Sequence, residues 1–187
     1  MKYIKRRSKR IELFVEVVFL IALFIFALLL DYELAASLFW QFYLVMAFLA
    51  LILLLPVFLL SRRKQELWLF LGFNLSILAL QFLVLSPVKP FTKFYLDINN
   101  GMTIEKVQQL FTQHFPKSGE FRQPDWRLHN ENRNDAENHQ LNGKRFLATP
   151  NQSLQYNLDL TDGRYDAEVM TVYFKDGKVV GTNYSAD

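Results

Sequence analysis

The segment "HNENRNDAENH" crowds His129, Glu131, Asp135, Glu137 and His139 into eleven residues. Imidazole beside carboxylate is donor chemistry for zinc or another divalent ion, and a metal-dependent hydrolase is the reaction class such a set would serve. Its spacing speaks against that use, because neither H-E-x-x-H nor another helical ligand spacing occurs and the interleaved Asn and Arg residues read as a solvated loop. His114, on the polar–apolar border of a predicted helix, is expected to be a helix-surface residue rather than a base. No G-x-S-x-G, S-x-x-K, P-loop or dinucleotide fingerprint is present. The absence of cysteine removes thiolate metal sites, cysteine nucleophiles, disulfides and lipidated cysteine together. The expectation is a non-enzymatic chain with no metal and no cofactor.

A second set of polar residues lies inside apolar runs: Glu16, Gln41, Asn74 and Gln81. An intramembrane ionisable group is expensive to keep, so these residues could serve an ion or proton path in a transporter or channel subunit. Interhelical hydrogen bonding is the reading favoured, with Glu16 near enough to the interface to meet water or the basic tail. Gly72, Ser76 and Ala79 form a stripe of small residues at helical spacing, which allows a neighbouring backbone to approach. A packed three-helix bundle follows, and homo-oligomerisation is compatible with it.

Three apolar runs would hold these residues. Residues 11–30, 35–60 and 67–88 each reach the length needed to cross about 30 Å of hydrocarbon as a helix. The first run is long and lacks a small-residue cleavage site after it, so it reads as a retained anchor. The basic segment 1–10 carries six Lys or Arg, the connection "DYEL" carries none, and Arg62, Arg63 and Lys64 fill the next connection, with Glu66 read as part of the same cluster of loop charges. By the positive-inside rule the N-terminus is cytoplasmic and everything after the third run is extracytoplasmic, across an inner or plasma membrane. Pro87 and Pro90 are read as the exit, ending the helix and stiffening an extended segment.

The basic pI does not imply nucleic acid. Residues 1–88 carry 9 basic and 5 acidic side chains, whereas 89–187 carry 12 and 13, net −1. The positive excess abuts the apolar runs, where it meets lipid headgroups, and the basic stripe of a nucleic-acid-binding domain is missing.

Residues 89–187 have the composition of a small domain. In "MTIEKVQQLFTQHF", Ile104, Val107, Leu110, Phe111 and Phe115 recur at spacings of three and four, with Thr103 as N-cap and Glu105 complementing the helix dipole. Residues 117–150 read as a polar excursion of unassigned fold, in which Phe121 and Trp126 either fold back to cover the sheet edge or its open face or serve as candidate interaction residues. Two Asp-Gly pairs, Asp162-Gly163 and Asp176-Gly177, then separate the strand-like segments "LQYNLDL", "AEVMTVYF" and "VVGTNY". A three-stranded antiparallel meander covered by the helix is the expected α+β arrangement.

"GMTIEKVQQLF" followed by "VMTVYFKDGKVV" resembles the small lipoprotein A / outer-membrane lipoprotein A family, the fold of the outer-membrane assembly lipoprotein E. The resemblance covers about residues 96–184, through Gly101-Met102-Thr103, Val107, and the hairpin residues Phe174, Gly177 and Val179. The chain departs from it at Thr112, where the family has glycine before a proline here displaced to Pro116, and in having apolar runs instead of a lipidated cysteine. The resemblance implies a non-catalytic docking module. Its expected partner is another envelope or membrane protein.

Overall fold

The computed structural model describes residues 2–61, 64–130, 150–159 and 167–186. They form two compact units that divide between Leu85 and Ser86.

The first unit is helical. Helix α1 runs Lys2–Leu34, α2 Trp40–Ser61 and α3 Lys64–Ala79. Two of these, over Leu13–Leu34 and Trp40–Leu59, are long and apolar enough to cross a membrane. Their outward surface is apolar: Phe14, Phe19, Phe48 and Leu59 are all more than half exposed, a surface that water does not favour. Inside, Leu20 and Ala27 of α1 pack with Phe42, Met46, Ala50 and Leu54 of α2 and with Phe73, Ile77 and Leu80.

Three boundaries differ from expectation. "DYEL" is the last turn of α1 and not a loop. The chain reverses instead at Ala35, which adopts a left-handed φ of 50°. There the Asp31 carboxylate accepts the Ser37 backbone N–H at 2.9 Å, and the Tyr43 hydroxyl donates to the Ser37 carbonyl at 2.6 Å. The short side chain of Asp31 thus satisfies a backbone donor that the tight reversal leaves without a helical partner. The third apolar run is not one helix to Val88, since α3 ends at Ala79, tightens into a 3₁₀ turn over Leu80–Phe82 and becomes extended at Leu83. Glu66, counted by sequence among loop charges, lies in the first turn of α3 and is 1% exposed.

The second unit has two helices on a four-stranded sheet. Helix α4, Val88–Asp97, replaces the extended exit expected of Pro87 and Pro90. Proline is tolerated in a first helical turn because its missing N–H has no intrahelical partner there. Val88, Phe91, Phe94 and Ile98 are all buried at helical or near-helical spacing, and this apolar stripe outweighs the prolines. Helix α5, Ile104–His114, begins where sequence placed it, with Thr103 Oγ1 accepting the Lys106 N–H at 3.4 Å. Glu105 is held below the usual carboxylate range by its backbone hydrogen bond and by the Thr103 hydroxyl.

Strands β1 (Asp125–Asn130), β2 (Gln152–Asp159), β3 (Ala167–Lys175) and β4 (Lys178–Ala186) pair antiparallel in chain order. The expected meander is β2–β3–β4; β1 is a fourth strand drawn from the segment read as a loop. Asp176 and Gly177 take φ values of 52° and 73° in the β3–β4 turn, the positive pair that a two-residue hairpin of matching twist requires. The other Asp-Gly pair lies outside the described residues. On the covered face Leu154, Tyr156 and Leu158 of β2 and Met170, Val172 and Phe174 of β3 are buried beneath Phe91, Phe94, Val107, Phe111 and Phe115. Phe94 meets Phe111 and Tyr156 with ring centroids 5.6 and 5.1 Å apart.

Candidate functional site

Among the described residues strand β1 is an edge, paired to β2 on one side only. Its position is fixed from both directions. Before it, Gly119 N–H closes a turn on the Pro116 carbonyl, the Gln123 side-chain amide donates to the Phe115 carbonyl, and Pro124 is buried. Along it, Trp126 lies opposite Tyr156 and Leu128 opposite Leu154 in the ladder.

Directly opposed residues of an antiparallel pair point to the same face of the sheet. Trp126 and Leu128 therefore belong to the helix-covered face, yet they are 49% and 51% exposed while Tyr156 and Leu154 are 1% and 0%. The helices cover β2 and leave β1 uncovered. The opposite face of β1 carries Asp125, Arg127 and His129, all exposed. Arg122 lies 3.7 Å from Asp125 in a solvent-exposed pair, a geometry that contributes little stability. What results is an apolar pair beside an edge whose outer backbone groups have no strand partner among the described residues, the arrangement that accepts another chain.

Of the residues singled out by sequence, Trp126 stands on this edge and Phe121 is half-buried in the preceding loop. Leu128 was missed, although the alternation Trp126-x-Leu128 between polar residues was its signal. His129 is exposed on β1, whereas Glu131, Asp135, Glu137 and His139 lie outside the described residues. Among the described residues no group of three or more His, Cys, Asp or Glu is placed to hold a metal.

The four intramembrane polar candidates are not brought together. Glu16 is buried on α1 and is engaged in a polar or charged contact. Gln41 is exposed in the first turn of α2, and Gln81 is exposed in the 3₁₀ turn after α3. Glu16 and the α1 end nearest Gln41 are separated by about 27 Å of helix rise. Asn74 donates to the Phe70 carbonyl of its own helix at 2.8 Å, a bond within α3. Gly72 and Ser76 of the small-residue stripe are exposed and line an apolar groove between α1 and α3, and the Ser76 hydroxyl donates to the Gly72 carbonyl.

His114 departs from the helix-surface expectation. It is half-buried, with Nε2 2.8 Å from Asp97 Oδ2, tying the end of α5 to the end of α4. The two phenols of the aromatic layer are both pushed above the ordinary tyrosine range. For Tyr156 the cause is burial; for Tyr184 it is burial and then a hydrogen bond with Glu168. Comparison of the chain with family models, curated proteins and solved structures returned no match.

Proposed function

We propose that the chain is a membrane-anchored, non-enzymatic protein whose second unit presents a protein-docking edge outside the cytoplasm. Helix α3 and its 3₁₀ continuation serve as the third span: sixteen helical residues and three 3₁₀ residues together rise about 30 Å. Basic residues before the first span and at 62–64, with none at 31–34, orient the N-terminus inward and residues 86–187 outward across an inner or plasma membrane. The partner is another membrane or envelope protein. The resemblance to the small lipoprotein A domain points the same way.

The observation that carries this reading is the pair Trp126 and Leu128, half exposed on the strand that forms the sheet edge among the described residues, beside the fully covered Tyr156 and Leu154. Exposed aromatics are frequent anchors of interface energy, and an unpaired strand edge supplies main-chain hydrogen bonds to an incoming segment. Crosslinking in intact cells from position 126, followed by partner identification, tests it. A transport or channel role draws less support, because Gln41 and Gln81 are exposed and Asn74 bonds to a carbonyl of its own helix.

A further inference from the structure

Glu66 is the most enclosed acid among the described residues, 1% exposed in the first turn of α3, and neither carboxylate oxygen has a hydrogen-bond partner among those residues. It lines a cleft of about 220 Å³ between α2 and α3 whose other walls include Leu51, Leu54, Leu55, Phe58 and Phe70. An acid in such a setting is costly to keep unless something meets it. From this geometry we infer that the cleft binds an amphiphile with a primary-ammonium head, the ammonium on Glu66 and the apolar tail against the leucines and phenylalanines of α2 and α3.

The chemistry selects that class. The described leucine and phenylalanine walls provide no further oxygen or nitrogen ligands, so a divalent cation would have to give up its hydration for a single carboxylate. An anion is repelled, and a neutral lipid leaves both carboxylate oxygens without a partner among the described residues. A primary ammonium brings three N–H donors and a charge of the right sign, and its bonds to a carboxylate are charge-assisted and short. An ethanolamine phospholipid and a free long-chain amine share this chemistry. The inference depends on the membrane reading only for the supply of amphiphile, and not on topology or on the docking edge.

The test uses the full-length chain in a nonionic detergent, titrated with phosphatidylethanolamine, phosphatidylcholine, dodecylamine and dodecanol, with bound molecules counted by native mass spectrometry. Wild-type protein should retain the amine-headed member of each pair at least about tenfold better than the other. Retention of the phospholipid alone would assign the site to a lipid headgroup, and of dodecylamine alone to a soluble amine. Glu66→Gln keeps the shape of the side chain and should abolish the preference, whereas Glu66→Asp keeps the charge and should retain part of it. Leu54→Trp, which fills the cleft, should lower all adducts. Equal retention within each pair by the wild type, or an undiminished preference in Glu66→Gln, would overturn the inference.

Discussion

Trp126 and Tyr156 stand opposite each other across the β1–β2 ladder, on one face of one sheet, yet Trp126 is 49% exposed and Tyr156 1%. Tyr156 lies under Phe94 and Phe111, with ring centroids 5.1 and 4.9 Å away. One strand further out the helical cover has ended. The same sheet face is therefore core at β2 and surface at β1, and substitutions at the two positions should have different consequences.

At Tyr156 the hydroxyl is buried without a hydrogen-bond partner among the described residues. Tyr156→Phe should leave the stability of the second unit unchanged at neutral pH or raise it by about 1 kcal/mol, since it removes an unsatisfied polar atom and little apolar area. The pH dependence follows from the raised phenol. Folding retains the proton, while the unfolded phenol ionises near pH 10, so this contribution is complete below that pH and is lost as pH rises above it. Tyr156→Phe should make the alkaline fall shallower, with the remainder due to Tyr184. Thermal melts at pH 7 and above 10 check both, and a clear loss at pH 7 would contradict the unpartnered hydroxyl.

Residues 86–187 should fold without the helical unit, because α4, α5 and the sheet complete one core. A fragment beginning at Lys93 removes Val88 and Phe91, both buried, and should be less stable by roughly 3 kcal/mol or more. Val107→Asp or Val172→Asp places a charge at a fully buried position and should abolish the cooperative transition of the longer fragment. Equal melting of the two fragments would show that α4 is not part of the core.

Asp97 and His114 join two helix ends through one bond of 2.8 Å. Asp97→Asn or His114→Ala should cost about 1 kcal/mol or less, since Asp97 is partly solvated and such pairs are screened. Denaturant melts of both single variants and the double variant would show a coupling if the contact contributes; strictly additive losses would show that it does not.

Reporter fusions after Arg63 should read cytoplasmic, and fusions after Leu34 or Asp187 extracytoplasmic. A cytoplasmic C-terminus would contradict the three-span topology. It would place the docking edge on the other side of the membrane.

Helix α5 was legible because its cap and its 3.6-residue stripe agree, and β2, β3 and β4 because alternation and the Asp176-Gly177 turn agree. Helix α4 was hidden by two prolines that look like breakers, although Val88, Phe91, Phe94 and Ile98 already marked a buried face. Strand β1 offered only Trp126 and Leu128 as apolar positions within a polar segment, too short an alternation to stand out. The end of α3 was invisible because apolarity continues through Leu83, Val84 and Leu85 whether or not the backbone stays helical. Glu66 was misread because charge beside Arg62, Arg63 and Lys64 suggests solvent, and only the packing of α3 on α2 turns it inward. At the candidate surface, sequence supplied Trp126; that its neighbour in the ladder is core emerges only from strand register.

If the β1 edge docks a partner, recovery of that partner by crosslinking in intact cells depends on the two apolar side chains of the edge. Trp126→Ala/Leu128→Ala should insert, fold and melt within a few degrees of wild type, because both side chains are already half in solvent. The variant should lose at least about 2 kcal/mol of partner binding, a fall of roughly thirtyfold in affinity, read as partner no longer recovered at wild-type expression. Full recovery of the same partner by the normally folded variant would show that the β1 edge is not the docking surface.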